Sequence, residues 1–318
     1  MPGPLTQSQV SQFERDGFLP VEGLLSNDEL ERFRESAAQA QARRLQVVAE
    51  RSAPVDRAKR SLKLALRAAI GDGVVDRVRT LIPRLLGAQV GRQLVAEGAW
   101  GFEGTNQSPS DPFYARVYLQ VFGLAREDER LRSCALDPRL GQIAAQLLSV
   151  DAVRLYHDQA LTKRPGDHYT AWHLDAPFWS FSSSRALTMW IALDDVTPES
   201  GCLSYLPGTH LTASYDRKAQ ISKQFDALLD LYPKWRALTP VQVPCRAGTI
   251  VFHHGLTAHS AGPNTTARDR RAFACSFMAD GVTFNGQRDV MSLSEFHRMR
   301  VGDRLDDDAR YPLVWSAR

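Results

Sequence analysis

Leu187-Thr188-Met189-Trp190-Ile191-Ala192-Leu193 is a short run rich in β-branched, aromatic and large apolar residues, and it reads as a strand. It belongs to a set. Val153-Arg154-Leu155-Tyr156, Val241-Gln242-Val243, Thr249 to Phe252 and Ala272 to Met278 have the same texture. Turn signals separate them: Pro165-Gly166, Glu199-Ser200-Gly201, Pro207-Gly208 and Ala247-Gly248. Several short strands with frequent turns predict an antiparallel sandwich or barrel from Ala152 onward.

Upstream the pattern is helical. Thr6 with Gln9, and Ser26 with Glu29, fit capping boxes, each followed by apolar residues at helical spacing. Gly17 is placed to stop the first helix, and Phe18-Leu19-Pro20-Val21 reads as extended. Leu62, Leu66, Ala69 and Ile70 lie on one helix face, Pro83 breaks the pattern, Gly101 to Pro112 reads as a loop, and Pro138 to Leu148 as a helix. The expectation is one unit over 1–318, mainly β with flanking helices: a mostly helical support over 1–150, a β core over 151–280, and a C-terminal extension over 281–318 of no clear pattern.

The 318 residues are 43 % hydrophobic and 24 % charged, ordinary for a globular protein with a sizeable core. No apolar run reaches the roughly 20 residues of a membrane helix. The four cysteines lack any C-x-x-C pairing, which suits a reducing compartment, and a cytoplasmic location is expected. Charge is uneven. Residues 41–92 hold 12 Lys or Arg against 4 Asp or Glu, a balance of +8, while the remainder, 27 against 32, carries −5. The basic segment reads as a solvated helix face or as a dock for an acidic carrier protein or an anionic group. No aromatic residue interleaves there, so nucleic acid is not expected as a partner.

Chemistry concentrates in Trp172-His173-Leu174-Asp175. A His and a carboxylate two apart on a strand project to one face, so both can touch one metal, and this donor pair suits iron, zinc or manganese. A third ligand is available among His253, His254 and His259. Two imidazoles and one carboxylate on one face of an octahedron leave three positions open, the arrangement of non-haem iron oxygenases.

His259-Ser260-Ala261-Gly262-Pro263-Asn264 is followed by Arg270 and Arg271. Here the sequence resembles the phytanoyl-CoA dioxygenase family of iron(II)/2-oxoglutarate oxygenases. The likeness begins at Phe13-Glu14-Arg15-Asp16-Gly17-Phe18-Leu19. It continues through His157, Gln159, Lys163-Arg164-Pro165-Gly166, His173-Leu174-Asp175 and Trp190-Ile191-Ala192-Leu193. Glu199 to Leu203 and Leu206 to His210 lead to the run His259 to Arg271.

The resemblance implies a double-stranded β-helix, a cupin-like jelly roll. It implies iron(II) held by His173, Asp175 and His259, with His253 and His254 behind them and His210 structural. It implies that Arg270 pairs with the distal carboxylate of 2-oxoglutarate, in preference to Arg268 or Arg271, and that Gln159, Trp190 and Gln120 line the cosubstrate pocket. Ala261 departs from relatives with Ser two residues after the distal His, so one cosubstrate hydrogen bond is not expected. With dioxygen, the implied reaction decarboxylates 2-oxoglutarate to succinate and carbon dioxide and hydroxylates an unactivated C–H bond of a small molecule, a secondary metabolite or lipid-like compound. Desaturation, cyclisation or epimerisation share that chemistry, whereas Asp175 argues against halogenation. Trp172, Phe178, Trp179 and Phe181 read equally as a substrate wall or as packing. A zinc hydrolase with the same ligands leaves Arg270 without a use, and a non-catalytic jelly-roll binding protein has no need of an intact triad.

Overall fold

The computed structural model describes residues 5–47 and 113–317. Most of the basic segment (48–92) and the loop 101–112 lie outside the described residues. Helix α1 (Gln7–Asp16) starts at a full Thr6/Gln9 capping box and buries Val10 and Phe13. It ends at Gly17, whose φ of 80° is open to glycine without strain. Space forces the same residue: a Cβ here would lie 2.3 Å from Thr257 Oγ1 and 2.4 Å from His210 Nδ1. The sharp exit sends Phe18–Val21 (β1) directly into a sheet. Residues 27–47 are helical (α2), capped by Ser26 and Glu29.

Two sheets face each other. The larger has seven strands, in the order β1, β8 (Ile250–His254), β5 (Ala186–Ala192), β10 (Arg270–Ala279), β3 (Ala152–Lys163), β11 (Leu313–Ser316), with β2 (Leu119–Phe122) also paired to β3. The smaller runs β4 (Thr170–His173), β9 (His259–Ala261), β6 (Leu203–Tyr205), β7 (Val241–Val243). All their pairings are antiparallel, and this is the expected jelly roll.

Alternation along β10 divides its residues. Phe273, Cys275 and Phe277 join the core shared with α3 (Glu129–Ala135) and α4 (Pro138–Leu148). Each phenylalanine, fully buried, contributes about 1.5–3 kcal/mol. Arg270, Ala272, Ala274 and Ser276 turn the other way, toward the small sheet, as do Thr188 and Trp190 opposite them on β5. On β3 a bulge interrupts the pairing with β10, so that Ser276 faces His157, Phe277 faces Leu155, and Tyr156 is the extra residue. A bulge bends its strand and re-aims side chains, here Tyr156 and His157.

The large sheet reaches beyond the expected core boundaries. β1 and β2 come from the N-terminal half. The C-terminal segment is not a patternless extension: it contributes α5 (Leu293–Arg298) and strand β11, paired to β3.

Candidate functional site

β4 ends at His173 and β9 begins at His259, and the two residues are directly paired, with ring centroids 4.1 Å apart. Asp175 reaches the same place by a route the sequence did not suggest. It is not on the strand. It opens the single 3-10 turn Ala176–Phe178, and its backbone N–H donates to Gly255 O at 3.1 Å. That turn brings Asp175 Oδ1 to 3.7 Å from both His173 Nε2 and His259 Nε2. Ligand atoms of the three residues lie within 4.8 Å of one another, a group that can hold a metal ion.

The protonation pattern suits a metal. His173 Nδ1 donates to Ala171 O at 2.9 Å and His259 Nδ1 to Thr257 O at 3.0 Å, which leaves both Nε2 lone pairs turned to Asp175. Burial, then the neighbouring His259, pushes His173 down to about 4; burial does the same to His259. Both imidazoles are therefore neutral donors at pH 7. Burial would raise Asp175, but His259, His253 and His173 outweigh it and hold the carboxylate ionised.

The far oxygen of Asp175 is also fixed. Thr188 Oγ1 donates to Oδ2 at 3.0 Å and His253 Nε2 lies 3.2 Å from it. His253 is oriented in turn by Tyr205, whose hydroxyl is 3.1 Å from Nδ1. His253 thus stands behind the triad. His254 contacts Ser184 O at 2.7 Å and His210 contacts Glu14 O at 3.1 Å, both structural. Thr188, Tyr205 and Ser276 were not singled out from the sequence. The alternation that puts Trp190 on the inner face puts Thr188 there too, so a signal existed for that residue.

Arg270 is 4 % exposed and stands 5.4 Å over the Trp190 ring. Its Nε is buried with no hydrogen-bond partner among the described residues. Burial pushes the guanidinium down to about 10, so it remains charged at pH 7. A buried cation with an unsatisfied donor is costly unless an anion meets it. Arg271 faces the other way and is held by Asp194 at 2.7 and 2.9 Å; Arg268 is exposed. Gln120 Nε2 donates to Gln159 Oε1, so these two expected residues touch each other on the inner face. Lys163, fully buried nearby, donates to Val117 O at 2.9 Å. Burial and then Arg270 push it down to about 6.

The aromatic run after the triad is packing. Trp172, Trp179 and Phe181 are buried in one cluster with Tyr156, and a Cβ on Gly255 would come within 2.6 Å of Trp179. Phe178 lies under the Lys218 ammonium at 5.0 Å. His168 is exposed and stacks on Phe113 at 5.2 Å.

The model of the phytanoyl-CoA dioxygenase (PhyH) family matches residues 13–272. The chain belongs to this family. Phytanoyl-CoA dioxygenase domain-containing protein 1 of Mus musculus is 24 % identical over 281 residues, covering 86 % of this chain and 90 % of its own. A methylphosphonate hydroxylase of Gimesia maris is 28 % identical over 176 residues, 54 % of this chain and 62 % of its own. The crystal structure of SnoK, a non-haem alpha-ketoglutarate-dependent carbocyclase from nogalamycin biosynthesis, superposes with a TM-score of 0.65. It is 25 % identical and the match covers 98 % of this chain and 99 % of that one. Like other members of the phytanoyl-CoA dioxygenase family, the protein is an iron- and 2-oxoglutarate-dependent oxygenase of small molecules. Its residues fit both groups: two neutral imidazoles and a carboxylate for iron, and, for a dicarboxylate, a buried guanidinium whose Nε has no hydrogen-bond partner among the described residues.

Proposed function

We propose that His173, Asp175 and His259 hold iron(II), that Arg270 anchors the distal carboxylate of 2-oxoglutarate, and that the protein hydroxylates an unactivated C–H bond of a small molecule. The observation that carries this reading is Arg270. A triad alone would serve a zinc hydrolase equally, but a hydrolase has no use for a buried guanidinium with a free donor on the same inner face. A planar fork of donors matches a carboxylate bidentately. Bound iron would supply the oxidising chemistry that no side chain can.

The chain's own residues do the rest. Ala171 and Thr257 carbonyls fix which nitrogen each histidine presents. Thr188 and His253 hold Asp175 in place. Trp190 gives Arg270 a flat face to rest on, and Gln120 and Gln159 form a polar edge to the same pocket. An ionised Asp175 in the carboxylate position favours hydroxylation over halogen transfer. Cyclisation, as named for SnoK, needs only a different substrate placed at the same centre.

The same reading takes 1–318 as one unit and places it in the cytoplasm. In support, the four cysteines are free, and no helix among the described residues is long and apolar enough to cross a membrane. The charge of 41–92 supports a dock for an acidic carrier protein or an anionic group.

The test is an anaerobic titration of the metal-free protein with iron(II) and then 2-oxoglutarate, watched for the weak visible charge-transfer band of the chelate. The band should need both additions and be lost in Asp175→Ala. No band from folded wild-type protein would sink the assignment.

A further inference from the structure

Along β3, between the stretches paired to β11 and β2, lies a cavity of about 510 Å³, within the size range of small-molecule sites. Its floor carries three polar side chains that the chemistry described so far does not use. His157 is 8 % exposed, and its Nδ1 is buried without a hydrogen-bond partner among the described residues. Tyr156 is the extra residue of the β3 bulge, and its hydroxyl donates to Asp289 Oδ2 at 2.7 Å. Asp289 has a φ of 40°, left-handed backbone that a residue other than glycine adopts at a cost. It is kept there from both sides. Ser180 N donates to the Tyr156 hydroxyl at 3.0 Å, and Ser180 Oγ donates to Arg288 O at 3.0 Å. His157 lies opposite Ser276 of β10, Ser276 Oγ is 3.2 Å from Thr188 Oγ1, and Thr188 holds Asp175, so the floor is linked to the triad through these two hydroxyls.

The walls are largely apolar, with Phe122, Leu155, Val290 and Met291 among them. The mouth is cationic. Of the lining glutamates, Glu127 pairs with Arg44 and Glu295 with Arg310, while Asp158 accepts from Ala125 N at 3.0 Å. Arg126, Arg132 and Arg288 also line the cavity, the first two at its exposed side.

We propose that this cavity is the substrate chamber and that it takes an elongated, mainly apolar molecule with a hydroxyl at one end and an anionic group at the other. Asp289 and His157 hold the hydroxyl next to the triad, and Arg126, Arg132 and Arg288 receive the anion at the mouth. A hydroxyl both donates and accepts, so it satisfies a carboxyl oxygen and a buried imidazole nitrogen together. Tyr156 is a positioning residue for Asp289. The inference rests on the oxygenase reading above, since it is the triad that makes the chamber catalytic.

The probe is 6-hydroxy-2-naphthoate, titrated calorimetrically into the anaerobic iron(II)–2-oxoglutarate complex, with 2-naphthoate and 2-naphthol as its truncated forms. Saturating 2-oxoglutarate keeps the acids from Arg270. The full probe should bind about tenfold or more tightly than either truncated form. In Asp289→Gly, where glycine accepts the backbone angle, and in His157→Phe, the preference over 2-naphthoate should vanish. In Arg288→Ala both acids should weaken, with 2-naphthol unchanged. Equal affinity of 6-hydroxy-2-naphthoate and 2-naphthoate for wild type, no binding of the full probe, or an unaltered preference in both floor variants would overturn the inference. The charge-transfer band, recorded on the same samples, reports separately on the metal and 2-oxoglutarate. A normal band with no hydroxyl preference removes the chamber assignment alone. A missing wild-type band removes the oxygenase reading, and the binding comparison still decides the cavity. A floor variant that lacks the band is set aside, and wild type with Arg288→Ala decides.

Discussion

Arg270 and Arg271 are neighbours on one strand with opposite surroundings. Arg271 is tied to Asp194, whereas Arg270 is buried with an unpartnered Nε. Arg270→Ala should raise the 2-oxoglutarate concentration for half-maximal band formation by about ten- to a hundredfold, the worth of a charge-assisted hydrogen bond, and leave iron(II) affinity nearly unchanged. The same shift in Arg271→Ala instead would show that the wrong face was chosen. His253 acts at one remove. His253→Phe leaves Asp175 Oδ2 and the Tyr205 hydroxyl each short of a partner, and should weaken iron(II) binding by about ten- to a hundredfold. An unchanged affinity would make His253 mere packing. At this scale the sequence spoke clearly where spacing is short. His173 and Asp175 are grouped by their spacing in the chain, whereas the preference for Arg270 over Arg271 comes from the resemblance. Asp289 was invisible, because its importance comes from a bulge on β3 and a turn well over a hundred residues away meeting at one cavity.

Elements were legible where their periodicity was undisturbed. The inner and outer faces of β5 and β10, the capped start of α1 and the helix Pro138–Leu148 all follow from local pattern. β11 did not, since Leu313–Ser316 is too short to announce itself and becomes a strand only by pairing with Val153 and its neighbours. The turn at Asp175 escaped for a similar reason: the strand ends where Gly255 supplies a carbonyl to the Asp175 amide, a contact no local pattern records. Gly17 tests the element scale. Gly17→Ala combines an unfavourable φ with a clash against Thr257 and His210, and should lower unfolding stability by about 1–3 kcal/mol in a urea titration. A neutral result would mean that the α1–β1 corner relaxes freely.

For the whole molecule, the buried carboxyls set a slope of stability against pH. Burial pushes Asp289 up to about 7 from 3.8, and Asp158 up to about 6. A raised folded value means that the native state keeps protons the unfolded chain has released. Stability from these groups is therefore full below the unfolded value and is lost as pH rises from about 4 through about 7. Histidines pushed down to about 4 act in the opposite sense over the same range, so the fall is read as a difference: the urea midpoint of metal-free wild type minus that of Asp289→Asn should drop as pH rises from about 4 through about 7. The slope persisting unaltered in that variant would clear Asp289 of the effect.

The pairing of β1 with β8 sets Phe18 opposite His253, so one of the first strands to be synthesised is completed by one of the late ones. Until β8 emerges from the ribosome, β1 has only its own corner with α1 to rest on, and its apolar face and backbone edge stay open. β8 also carries His253 and immediately precedes His259. The segment that gives β1 its partner is therefore nearly the same segment that delivers the second imidazole. A nascent chain would acquire its capacity for metal only as its first strand finds a partner.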